Sequence, residues 1–169
     1  KNNKINSEVI GKLTNENLEK VYKLLAFHDL GHILYNVVNN NQINISETAR
    51  KALENSYIKA TIRKESLALE RKKITSILEE NKIKYITLKG ESLQALYPNN
   101  FIRPSCDVDI LVEKKHLKRA TKLIKEKCEA RKVERNYHDI TITTSNNILI
   151  ELHFSLKEND EKLDKITAN

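Results

Sequence analysis

The chain has 169 residues, 39% hydrophobic and 31% charged, with a formal net charge of +7 and a pI near 9.3; it can bury one genuine core, and its basic balance favours polyanionic partners such as nucleotides or nucleic acid. Nothing approaches the roughly 18 apolar residues of a membrane span, and the lysine-spotted start is not followed by a signal-type apolar core, so a cytoplasmic address without a membrane partner is expected. Two cysteines, Cys106 and Cys128, are too few for a disulfide framework and form no CxxC, which argues against structural zinc.

Residues 1–80 read as helical throughout. In NLEKVYKLLAFHDLGHILYNVV, Leu18, Val21, Leu25, Leu30, Ile33, Leu34 and Val37 fall at near-helical spacing. Asn39, Asn40 and Asn41 then make a polar break. Ser46 is the N-cap expected for ETARKALENSYIKATIRKESLALERKKITSILEEN, a pattern long enough for two helices hinged near Asn55 and Ser56.

From residue 82 the pattern changes. IKYITL reads as a strand, ESLQALY as a short helix, VDILV as a strand and KKHLKRATKLIKEKC as a helix whose mixed acids and bases suit a solvated face. ARKVER, DITITT and ILIELHF follow as strands, the last two joined through Asn146 and Asn147 as an antiparallel hairpin. The expected fold is α/β in the α+β sense: a small sheet packed on helices over residues 81–157, after an all-helical region over 1–80. Residues 158–169 read as a tail that starts a further segment, and the absence of any methionine, initiator included, suits an excerpt of a longer chain.

Strand alternation places Asp107 and Asp109 on one face of VDILV and Val108, Ile110 and Val112 on the other. At about 3.3 Å per residue the two aspartates' Cα atoms lie roughly 6.6 Å apart, so their carboxylates can converge on one cation or flank two. In ILIELHF, Ile148, Ile150, Leu152 and Phe154 share a face, leaving Glu151 and His153 on the other. Acids inside apolar strands need a positive partner, because a buried unpaired carboxylate costs several kcal/mol. A magnesium ion with oxygen ligands would serve, and so would an edge-strand device or ion pairs with Arg103 and a lysine. Gly90, one of three glycines, stands at a predicted strand-to-helix junction, where a phosphate can approach bare backbone and free helix N–H groups.

Gly90, Asp107-Val108-Asp109 and Glu151, in this order, resemble the nucleotidyltransferase superfamily that includes DNA polymerase beta and the small antibiotic-modifying and antitoxin-type transferases. YITLKGESLQALYP, RPSCDVDILV and IELHFSL more narrowly resemble a poorly characterised bacterial and archaeal family with an LKG motif, an Arg before Asp-x-Asp-x-Leu-Val, and a Glu-Leu-His. The likeness covers about residues 60–156, and more faintly FHDLGHILY. It implies a mixed sheet with flanking helices, two divalent ions (Mg2+ or Mn2+) held by the catalytic residues Asp107, Asp109 and Glu151, and a nucleoside triphosphate such as ATP near Gly90. The implied reaction moves a nucleoside monophosphate to an acceptor hydroxyl, on a small molecule, protein or nucleic acid, with release of pyrophosphate. Within that reading Lys89 and Arg103 neutralise phosphate charge, and Gly90, Ser92 and Ser105 are phosphate-side candidates. Where the superfamily has a second glycine or a serine after the motif glycine, this chain has Glu91, with Ser92 one place later.

His153 is an expected acceptor-side or phosphate-side group. His28 and His32, four apart on a predicted helix, lack a third ligand and read as structural or surface residues. His116 is expected on an exposed helix face, Cys106 as a small core residue, and His138 has no assignable place. Two other function classes fit less well: a catalytically degenerate nucleotide- or partner-binding domain, and a basic nucleic-acid-binding helical module, which 5% aromatic residues disfavour.

Overall fold

In the computed structural model of the chain, the described residues are 12, 15–88, 96 and 105–156. Those up to residue 64 form one compact unit and those from residue 65 another.

The first unit is helical. α1 spans Asn15–Phe27 and α2 spans Gly31–Asn40. A periodic apolar run thus breaks at Asp29, whose φ of 56° is left-handed, a conformation that aspartate tolerates better than most residues. Leu30 N–H bonds back to Leu25 O at 2.7 Å and closes the end of α1. The asparagine break comes where expected: α2 ends at Asn40, and Asn41 Nδ2 donates to Val37 O at 2.8 Å. α3 then runs over Glu47–Glu80 as one 34-residue helix, of which residues 65–80 belong to the second unit. Ser46 caps it, its Oγ accepting the Ala49 N–H at 3.2 Å. The hinge expected at Asn55 and Ser56 does not occur, because neither residue removes a helical hydrogen bond as proline does. Ser56 serves packing instead. A Cβ added at Gly31 would lie 2.6 Å from Ser56 Oγ, so the glycine lets the two helices approach. Leu18, Leu34, Val38, Ile43, Ile45 and Leu53 make this unit's core.

The second unit is the mixed sheet with helices on one face. β1 (Tyr85–Thr87), β2 (Asp107–Val112), β3 (Ala130–Arg135), β4 (Asp139–Thr144) and β5 (Leu149–His153) are arranged in the order β1-β2-β5-β4-β3. β2 and β5 pair in parallel, and the other neighbours pair antiparallel, including the expected β4–β5 hairpin. Asn147, at φ 60°, turns that hairpin. A 3-10 turn at Lys114–His116 leads into α4 (Leu117–Lys127).

Alternation explains the layering. Val108, Ile110, Val112, Ile140, Ile142, Ile150 and Leu152 pack against Ile74, Ile77 and Leu78 of α3 and Leu117, Ala120 and Ile124 of α4. Each buried Val, Leu or Ile side chain contributes about 1.5–3 kcal/mol relative to exposure. The opposite face of β2 and β5 carries the acids. Cys106 is exposed, not the core residue expected, because it precedes the first paired residue of β2 and the pleat does not turn it inward. The core cysteine is Cys128, whose thiol burial and the neighbouring Glu70 push up to about 12. Among the described residues no helix is long and apolar enough to cross a membrane. The short helix expected at ESLQALY falls outside the described residues, apart from Leu96 in a turn.

Candidate active site

The parallel ladder between β2 and β5 sets the site. Its register puts Asp107 opposite Leu149, Asp109 opposite Glu151 and Leu111 opposite His153. Neighbouring strands lie about 4.8 Å apart, so the Asp109 and Glu151 side chains leave the same face side by side. Asp109 and Glu151 are thus brought together, and His153 joins them. His153 Nε2 is 3.1 Å from Asp109 Oδ1 and 3.3 Å from Glu151 Oε2. The side chains of Asp109 and His153 are 7% and 8% exposed, whereas that of Glu151 keeps 32%.

This packing perturbs the charges. Burial first, then hydrogen bonding with Asp109 and the charges of Asp109 and Asp107, hold the Glu151 carboxyl above its ordinary range. His153 is also raised, chiefly by its hydrogen bond to Asp109, with burial opposing. Concentrated negative charge on a buried strand face suits a cation. One donor atom each from Asp109, Glu151 and His153 lies within 4.8 Å of the other two. Two carboxylates and one imidazole converging in this way fit a divalent metal ion.

Asp107 shares the face, half-buried, but does not belong to this tight group of three. Ser105 Oγ donates to Asp107 O at 3.2 Å and sits 3.5 Å from Asp107 Oδ1, so it orders the entry to β2. Lys89, Gly90, Glu91, Ser92 and Arg103 lie outside the described residues.

His28 and His32 do not share a helix. His28 sits in the turn after α1, edge-on to Phe27, while His32 is buried in α2. His116 is partly covered instead of exposed, because it ends the 3-10 turn, where its Nε2 is 3.9 Å from Glu113.

Two further residues belong to the neighbourhood. Asp139, 4% exposed, pairs with His153 across β4 and β5. Its Oδ2 accepts from Asn136 Nδ2 at 2.9 Å and Thr141 Oγ1 at 3.0 Å. The His138 ring stacks on that of His153, with centroids 5.6 Å apart and planes 15° apart. The alternation of Asp139, Thr141 and Thr143 along DITITT signals an acid on this face. His138 precedes the strand, where no periodicity guides a reading.

A family model described as uncharacterised nucleotidyltransferase matches residues 14–169. No curated protein matches the chain. A solved chain described under "Structure and function of the polymerase core of TRAMP, a RNA surveillance complex" is 18% identical with a TM-score of 0.38. That match covers 72% of this chain and 41% of the other, so this chain spans less than half the length of the solved one.

Proposed function

The chain belongs to the uncharacterised nucleotidyltransferase family, whose model matches residues 14–169, and from this premise we propose that it transfers a nucleoside monophosphate from a nucleoside triphosphate to an acceptor hydroxyl. The observation that supports the reading is the register of Asp109 against Glu151 on the polar face of the sheet.

In this proposal Asp107, Asp109 and Glu151 hold one or two divalent ions, Mg2+ or Mn2+. Bound there, such ions supply positive charge to the triphosphate and acidify the acceptor hydroxyl. The acceptor oxygen attacks the α-phosphorus in line, the bond from the α-phosphorus to the bridging oxygen breaks, and pyrophosphate leaves. Either the ion alone draws off the acceptor's proton or Glu151 takes it as general base. Lys89 and Arg103 neutralise phosphate charge, Gly90 and Ser92 serve phosphate binding, and Ser105 bonds to Asp107. Residues 81–157 carry this chemistry in the cytoplasm.

The test uses each of the four triphosphates, labelled at the α- or the γ-phosphate, with magnesium and a panel of hydroxyl acceptors. Transfer of α-label with matching pyrophosphate release supports the reading. Transfer of γ-label, or no pyrophosphate above that seen with Asp109→Asn, contradicts it.

A further inference from the structure

The three carboxylates of the proposed site have an imidazole beside them. We infer that His153, through Nε2, is a direct metal ligand beside Asp109 and Glu151, so that a nitrogen joins the carboxylate oxygens of the site and selects Mn2+ over Mg2+. This rests on the reading of the polar face as a metal-bearing transferase site.

Three observations carry it. The imidazole atom that meets Asp109 Oδ1 at 3.1 Å also meets Glu151 Oε2 at 3.3 Å, so Nε2 sits where the two carboxylates converge. Asp107, by contrast, is opposite Leu149 and outside the group of three donors within 4.8 Å of one another. The ring is also held in place: its side chain is 8% exposed, His138 stacks on it, and the buried Asp139 is its partner across the β4–β5 ladder. As a ligand, Nε2 would offer its lone pair and the ring proton would reside on Nδ1.

The donor set has a chemical consequence. Magnesium prefers oxygen ligands and near-ideal octahedral geometry, while imidazole suits transition metals. Three carboxylates would leave manganese only its general advantage at such sites.

The experiment is calorimetric titration of the full chain with MnCl2 and with MgCl2, for wild type, His153→Gln and Asp109→Asn, together with pulsed electron paramagnetic resonance of bound Mn2+. The expected results are a coupling from a directly bound nitrogen in wild type and its loss in His153→Gln. Mn2+ affinity should fall about 10-fold or more in that variant, with Mg2+ affinity changing several-fold less. Asp109→Asn should weaken both ions. If wild type binds Mn2+ with no nitrogen coupling, and His153→Gln titrates like wild type, His153 is not a ligand and the inference is overturned while the transferase reading stands. If wild type binds neither ion, both are overturned. Should His153→Gln fail to fold, the nitrogen coupling of the wild-type protein decides alone.

Discussion

Asp109 and Glu151 stand directly opposite each other in the parallel ladder of β2 and β5, so that two carboxylates from distant parts of the chain leave one sheet face side by side. Nothing in packing requires this, since the other face of the same strands is wholly apolar. Like charges in such a position lower stability, a cost proteins carry mainly at functional sites.

Neutralising Glu151 should therefore stabilise the metal-free protein. Its carboxyl is raised in the folded state, so the folded form is penalised wherever the unfolded chain is ionised, above the ordinary carboxylate range. Glu151→Gln should raise the unfolding free energy near pH 8 in chelator by no more than about 1 kcal/mol, because the group is partly solvated. Denaturant melts check it, and the same variant should lose transfer activity by about 100-fold or more.

The cap at Ser46 gives a local test. Ser46→Ala removes the acceptor of the Ala49 N–H and should cost about 1 kcal/mol, whereas Ser46→Asp should retain most of it. Thermal melts of the two variants separate capping from a mere change in side-chain volume.

Gly31 and Ser56 should be coupled. Gly31→Ala improves helix propensity but puts a methyl 2.6 Å from Ser56 Oγ and 3.3 Å from the Tyr22 ring, so the single variant should be destabilised by about 1–3 kcal/mol. Ser56→Ala should relieve part of that, since the Ser56 Cβ lies at 3.5 Å. A double-mutant cycle with no interaction term would contradict the close approach.

The cysteines should separate by reactivity. Cys106 is exposed and Cys128 is buried, with its thiol pushed up to about 12. A thiol reagent at pH 8 should titrate one sulfur per native chain and two in denaturant. The folded value lies above a thiol's ordinary range, so the associated stability is complete below about pH 9 and is lost as pH rises towards 12. Cys128→Ala should flatten that alkaline loss.

Much of this was legible in the chain, and the failures have physical causes. The pleat alone separates Asp107 and Asp109 from Val108 and Ile110, and Glu151 from Ile150 and Leu152, because a half-buried strand has period two. It cannot show which strands become neighbours. The Asp109–Glu151 register is a long-range pairing, and His153 enters the group only through it. Asp29 breaks a periodic helix through a left-handed backbone that apolar spacing does not encode. Asn55 and Ser56 look like a hinge by propensity, but packing of Ser56 against Gly31 goes with an unbroken helix. Cys106 sits one residue outside the strand, where alternation no longer assigns a face.

Nucleotidyl transfer at this sheet face is tested by titration of the purified chain with each of the four nucleoside triphosphates, with and without magnesium or manganese, beside the Asp107→Asn/Asp109→Asn variant. Binding of at least one triphosphate that needs the metal and disappears in the variant is the predicted result. Absence of binding, or binding indifferent to both metal and mutation, would contradict the assignment of this sheet face as a nucleotidyl-transfer site.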